Sequence, residues 1–213
     1  MNWRAAGVIG LGTAVTAAAI WAFSGVSVAG VRSFYIPSET MEPTLEKGDH
    51  FIAAMSRPKE LQRGQLVLIR TSGGDIYVKR LAALPGDTIA LAKGIVSING
   101  QPVQREAAGR RRVAYPYLSA TEAFLFREQF PGEQVPHLIQ DLGPSSEDDM
   151  AEVTMPPGRV FTLGDNRDNS ADSRVPKFMG GLELVPIEDV VGRPLFFTWP
   201  AKKMGSSVEG PSR

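Results

Sequence analysis

From Ala5 to Ala29 the chain carries no charged residue. As a helix, this run of about 25 positions would cross roughly 30 Å of hydrocarbon with some tilt. It has no polar face at helical spacing, so it does not suit the surface of a soluble core. Ser27-Val28-Ala29 before Gly30 resembles a small-residue cleavage site, which keeps a removable secretory signal open as the alternative. The run is long for a signal, however. Trp3 and Arg4 on one flank, and Trp21, Phe23, Arg32, Phe34 and Tyr35 toward the other, suit the two interfaces of a bilayer. The reading is a retained single-pass anchor over residues 1–32, with a charge bias too small to orient it. Of 213 residues, the remainder suffices for one soluble domain with a core, elaborated by an insertion.

After the anchor, proline and glycine cut the chain into strand-length pieces. His50–Met55, Gln65–Thr71 and Asp75–Leu81 are separated by Pro58, Gly64 and Gly73-Gly74. The turn Leu84-Pro85-Gly86-Asp87 leads to Thr88–Ala92 and Ile95–Ile98, which flank Lys93-Gly94 and close on Asn99-Gly100, a hairpin signal. Strand character returns at Val160–Leu163 and Leu195–Trp199. The expectation is a mainly β, antiparallel, coiled or barrel-like core over residues 33–103 and 158–200. Residues 104–157, rich in charge, Pro, Gly and Ser, read as an inserted, partly mobile β-ribbon or cap. Residues 201–213 read as a disordered tail. Arg110-Arg111-Arg112 in the insert reads as a solvated run.

Composition removes several chemistries. The 23 basic residues balance 23 acidic ones, so no global field points to nucleic acid. The absence of Cys excludes disulfides, thiol nucleophiles and Cys-bound zinc. His50 and His137 lie far apart without a ligand pattern and read as surface or half-buried residues. The polar run Gly164 to Arg174 lacks the glycine and terminal glutamate of an EF-hand loop, and Arg167 and Arg174 would oppose a cation. No metal or cofactor is expected.

Three stretches remain that can carry chemistry. In Ile36-Pro-Ser-Glu-Thr-Met-Glu-Pro-Thr-Leu45 two prolines stiffen a loop that displays Ser38, Thr40 and Thr44, though a turn whose hydroxyls bond their own backbone is the plainer reading of that loop alone. In Asp75-Ile-Tyr-Val-Lys-Arg-Leu81, strand alternation puts Lys79 on a face with Tyr77 and Leu81, where loss of water would lower its pKa toward that of a general base. An edge-strand lysine that discourages aggregation is the competing reading. The polar run, if buried, must pair its charges internally.

Together, and in this order, Pro-Ser-Glu-Thr-Met-Glu-Pro-Thr-Leu, then Tyr-Val-Lys-Arg before Leu-Pro-Gly-Asp, then Gly-Asp-Asn-Arg-Asp-Asn-Ser-Ala-Asp-Ser-Arg closely resemble the type I signal peptidase family. The likeness runs from the anchor to about Trp199, including Val185-Pro186 and Val191-Gly192-Arg193, and is loose across the insert. It implies a β catalytic domain outside the bacterial cytoplasmic membrane, on the periplasmic side, that removes signal peptides from exported preproteins by a hydroxyl and lysine dyad. By the same resemblance Thr40 falls on the nucleophile, Lys79 on the general base and Ser38 on the oxyanion donor. Ser170 would orient the Lys79 amine, Asp165 would pair with Arg80, and Asp172 with Arg174. Phe34, Ile36, Met41, Tyr77 and Val78 would line small apolar subsites. The implied partners are signal-bearing preproteins and the lipid bilayer, with the protein a monomer.

One departure stands out: the family has serine where this chain has Thr40. Two alternatives therefore stay open, a silenced relative that only binds exported peptides, and a dedicated peptidase for one pilus or conjugation protein. Soluble autocleaving repressors, which share a serine and lysine dyad, are disfavoured by the anchor and the lack of a DNA-binding segment.

Overall fold

The structure is a computed structural model that describes residues 30–115 and 118–209, without the side chains of residues 118 and 119. Residues 1–29 of the expected anchor lie outside the described residues. Among the described residues no helix is long and apolar enough to cross a membrane, and the helical elements are short 3₁₀ turns at Lys177–Met179 and Ile187–Asp189.

The core strands are β1 (Val31–Tyr35), β2 (His50–Ala54), β3 (Leu66–Arg70), β4 (Ile76–Ala83), β5 (Thr88–Ala92), β6 (Ile95–Ile98) and β7 (Gln101–Pro102). Next come β8 (Gln104–Tyr115), β9 (Leu118–Gln129), β10 (His137–Asp141), β11 (Met150–Thr154), β12 (Arg159–Leu163), β13 (Val185–Pro186) and β14 (Val190–Trp199). A seven-stranded sheet runs in the order β1-β2-β14-β3-β4-β12-β13, and β11-β5-β6-β7 form a four-stranded sheet. β10-β9-β8 form a three-stranded ribbon. Every pairing between these strands is antiparallel.

The large sheet is apolar on both faces at its centre. Leu66 and Leu68 of β3 point into one cluster with Met41, Leu45, Phe51 and Phe197, while Val67 and Ile69 point into another with Leu81, Val160 and Val190. An uninterrupted apolar run is what a strand covered on both sides requires. β14 carries the curl: it pairs first with β3 and then with β2, with bulges along the way. β1 and β4 stand four places apart in the sheet order yet line one groove, so the sheet bends around into an open half-barrel.

Three expectations need correction. Val31 and Arg32, assigned to the anchor, belong to β1, and Phe34 of that strand stacks on Phe51 with ring centroids 5.5 Å apart. The insertion is narrower than 104–157, because β11 pairs with β5 and so completes a core sheet. Residues 201–209 are not a disordered tail. They turn back so that Val208 enters the apolar cluster around Leu45, Glu209 accepts the Leu66 amide at 2.8 Å, and Lys203 reaches Asp49 at 2.8 Å.

Candidate active site

The proline-bounded loop and strand β4 form the walls of a groove of about 400 Å³. Phe34, Ile36, Ser38, Thr40 and Met41 line one wall, and Asp75, Tyr77, Val78 and Lys79 the other. β12 pairs with β4 from Arg80 onward, and β3 covers the other edge of β4, so Ile76–Lys79 keep one open backbone edge facing the groove.

Lys79 is 2% exposed, and among the described residues its ammonium makes no hydrogen bond. The Tyr77 ring lies 5.8 Å from Nζ. Burial pushes its pKa down to about 8, with Asp172 and Asp165 pulling the other way and Arg174 helping the decrease. One residue along, Arg80 is fully engaged: Nε and Nη2 grip Asp165 at 2.8 and 2.6 Å, and Nη1 donates to the Gly64 carbonyl at 2.6 Å. Thr44 donates its hydroxyl to the same Asp165. Burial works against the Asp165 charge, but the Arg80 guanidinium outweighs it and holds the carboxyl below the usual range.

The polar run supplies the floor. Asp172, fully buried, accepts from Arg174 Nε at 3.0 Å and Nη2 at 2.8 Å, and from the Gly164 amide at 2.9 Å. These contacts overcome its burial and keep it ionised. A Cβ at Gly164 would overlap Ser170 and the Thr40 carbonyl, so only glycine lets the loop and the floor meet this closely. The Asn166 amide donates to the Thr40 carbonyl at 3.2 Å and its side chain to the Glu39 carbonyl at 2.9 Å. Ser170 Oγ sits here buried and, among the described residues, without a hydrogen-bond partner, so the expected bond to the Lys79 amine is not formed.

A buried amine short of partners, two hydroxyl residues on the opposite wall and an open strand edge suit nucleophilic attack on an extended peptide. Sequence comparison points the same way. The family described as signal peptidase, peptidase S26, matches residues 8–199. The chain belongs to this family. Signal peptidase I T of Bacillus subtilis (strain 168) is 32% identical over 174 residues, 80% of this chain and 75% of that protein. Signal peptidase I of Pseudomonas aeruginosa is 32% identical over 202 residues, 83% of this chain and 68% of that protein. The probable signal peptidase I-1 of Synechocystis is 29% identical over 184 residues, 80% of this chain and 72% of that protein.

The segment that turns back after Trp199 lies beyond the span matched by the signal peptidase family. The structure brings Ser38, Thr40, Lys79 and the five expected subsite residues to one groove, and forms both expected ion pairs. Sequence reasoning missed a second layer. His137 is buried rather than at the surface or half-buried, with Nδ1 2.8 Å from Glu133 and Nε2 3.4 Å from Glu128. Glu128, 0% exposed, is gripped by Arg167, which keeps its carboxyl ionised against burial. Arg111 is not simply solvated, because it pairs with Glu42 at 3.2 Å. His137 lies only four residues from Glu133, but Arg167 is 39 residues from Glu128 and Arg111 is 69 from Glu42, distances at which no local pattern signals contact.

Proposed function

We propose that the chain is a membrane-tethered type I signal peptidase that cuts signal peptides from exported preproteins after a small residue, with Thr40 as nucleophile and Lys79 as base. The observation that carries this reading is Lys79: 2% exposed, its pKa lowered to about 8, in a groove whose facing wall holds Thr40 and Ser38. At pH 7.5 a pKa of about 8 leaves roughly one amine in four neutral, against about one in a thousand at the ordinary value.

In this mechanism the neutral Lys79 Nζ takes the Thr40 hydroxyl proton as Oγ1 attacks the scissile carbonyl carbon. The Ser38 hydroxyl donates to the oxyanion that forms. Collapse breaks the C–N bond, and Lys79 returns its proton to the departing amine. The signal peptide is then held as a Thr40 ester. Water attacks that ester while giving a proton to Lys79, and Thr40 Oγ1 recovers a proton as the peptide leaves as a carboxylic acid. Asp172 and Arg174 support the floor, Ser170 would orient the amine once its hydroxyl turns toward it, since the two make no hydrogen bond in the structure, and the Arg80–Asp165 pair anchors β4 behind it.

Substrate would enter as an extended strand between the open edge at Ile76–Lys79 and the β1 wall, and Ile36, Met41 and Val78 beside Phe34 and Tyr77 favour small side chains near the cut. The uncharged run of residues 5–29 supports a single-pass tether in a bacterial cytoplasmic membrane, with the domain on the periplasmic side. Tyr35, 52% exposed, and Trp199, 51% exposed, flank His50 in register across β1, β2 and β14, and aromatic rings placed so suit a bilayer surface. Mass spectrometry of a signal-bearing preprotein incubated with the detergent-solubilised protein tests the reading. Two products cut after a small residue are expected, and an intact substrate with both the parent and Thr40→Ser would defeat it. The extra methyl of Thr40 favours one second reading, a silenced relative, which predicts cleavage by Thr40→Ser alone.

A further inference from the structure

We propose that Tyr115, the last residue of ribbon strand β8, is a positioning residue that holds the backbone on either side of Thr40 in register for attack. The proposal rests on Thr40 being the nucleophile. β8 alternates cleanly near its end: Arg111, Val113 and Tyr115 turn inward, while Arg110, Arg112 and Ala114 are exposed. The inward face therefore delivers a hydroxyl and a guanidinium to the nucleophile loop from a part of the chain about 70 residues away.

The Tyr115 hydroxyl sits at a junction and uses its full hydrogen-bonding capacity. It accepts from Gln140 Nε2 at 2.5 Å and from Asn166 Nδ2 at 3.1 Å, and it donates to Glu42 Oε2 at 3.1 Å. Each neighbour bears on Thr40. Asn166 Nδ2 has two protons, one given to Tyr115 and one to the Glu39 carbonyl, while the Asn166 backbone amide holds the Thr40 carbonyl. Turning that amide over would set its oxygen against the Glu39 carbonyl, so the Tyr115 oxygen, as second acceptor, locks the orientation that grips the loop. Glu42 is 7% exposed and two residues past Thr40. Burial raises its pKa, Arg111 and Tyr115 oppose that rise, and both come from β8. Without the hydroxyl, the loop would lose a tie on each side of Thr40 at once. Attack geometry is sensitive to displacements of about 1 Å, which cost on the order of 10²-fold in rate.

The test is Tyr115→Phe, which keeps the ring, compared with Arg111→Met, which strips a partner from the same Glu42 carboxylate but leaves the Tyr115–Asn166 contact. Cleavage of a signal-bearing preprotein is measured in the parent and Thr40→Ser backgrounds, with melting temperature and hydrogen exchange of the peptide spanning Asn166. Tyr115→Phe should lower kcat about 10-fold to 10²-fold with KM unchanged, leave the pH profile in place, and speed exchange at Asn166. Arg111→Met should lower the melting temperature comparably, yet keep kcat within about twofold and leave Asn166 exchange unchanged. An unchanged kcat in Tyr115→Phe, an equal loss in both variants, or a rise in KM alone would overturn the proposal. If neither background cleaves, the nucleophile assignment has failed, and Asn166 exchange still decides whether Tyr115 holds the loop.

Discussion

On the side of β4 that faces Asp165, each nitrogen of the Arg80 guanidinium has a partner: Nε and Nη2 on Asp165, Nη1 on the Gly64 carbonyl. On the side that faces the groove, one residue earlier, Lys79 Nζ has no hydrogen bond among the described residues, and nearby Ser170 Oγ has none either. Both cations are buried to the same degree, 2% and 4% exposed, so burial alone does not decide their fate. Partnering does. A buried charge that is fully paired stays ionised and locks the strands it joins, whereas one left short of partners is unstable as a cation and readily gives up its proton. The backbone follows the same division, since Arg80 onward is covered by β12 and Ile76–Lys79 are open.

The sharpest way to break this contrast is to remove the under-partnered charge. Lys79→Met should abolish cleavage, as should Thr40→Ala, and parent activity should rise with pH to a plateau above about 8. The same variant should be more stable than the parent. The folded pKa of Lys79 lies below its unfolded value, so the unfolded chain binds more protons between about pH 8 and 10.5, and the parent gains stability across that window. Below it the parent carries a penalty of up to roughly 3 kcal/mol that Met does not, an upper figure set by the size of the shift. Denaturant melts at pH 7 and pH 10 should show the Lys79→Met advantage shrinking as pH rises, and an advantage independent of pH would refute the account.

Removing a partner from the paired side should do the opposite. Asp165→Ala leaves Arg80 buried without its counterion and should destabilise the fold by about 3–5 kcal/mol, read from urea melts. Ser38→Ala should lower the chemical rate about 10²-fold to 10³-fold with little change in binding, and an unaltered rate would return Ser38 to an ordinary turn hydroxyl. The smallest effect belongs to Thr40→Ser, which should match the parent rate or exceed it, because the methyl limits the rotamers open to the attacking oxygen. A slower Ser variant would show that the methyl instead helps to aim the hydroxyl.

Much of this layout was legible in the residues. β5 and β6 begin and end where Thr88–Ala92 and Ile95–Ile98 were read, because Lys93-Gly94 and Asn99-Gly100 mark their limits locally. The loop, the Lys-Arg pair and the polar run were legible for a different reason, since each is a short string of residues with a strong pattern. β1 was hidden because Phe34 and Tyr35 suit a membrane interface as well as a strand, and Phe51 across the sheet decides between them. The turn-back of residues 201–209 was hidden because Lys203, Val208 and Glu209 anchor it to residues far away in sequence, from within a stretch of small and polar residues. Tyr115, Gln140 and Asn166 meet across long separations, and no spacing rule connects them.

The open edge of β4 also bears on which proteins the groove can engage. It spans only Ile76–Lys79 and lies between two walls, with Phe34 and Ile36 facing it. A single extended chain fits such a slot, whereas the rim of a finished sheet brings neighbouring strands that collide with the walls. On the proposed function, the groove would discriminate by foldedness before it reads any side chain. A polypeptide would then be accessible to it while locally unstructured, and would become resistant once its own strands had paired.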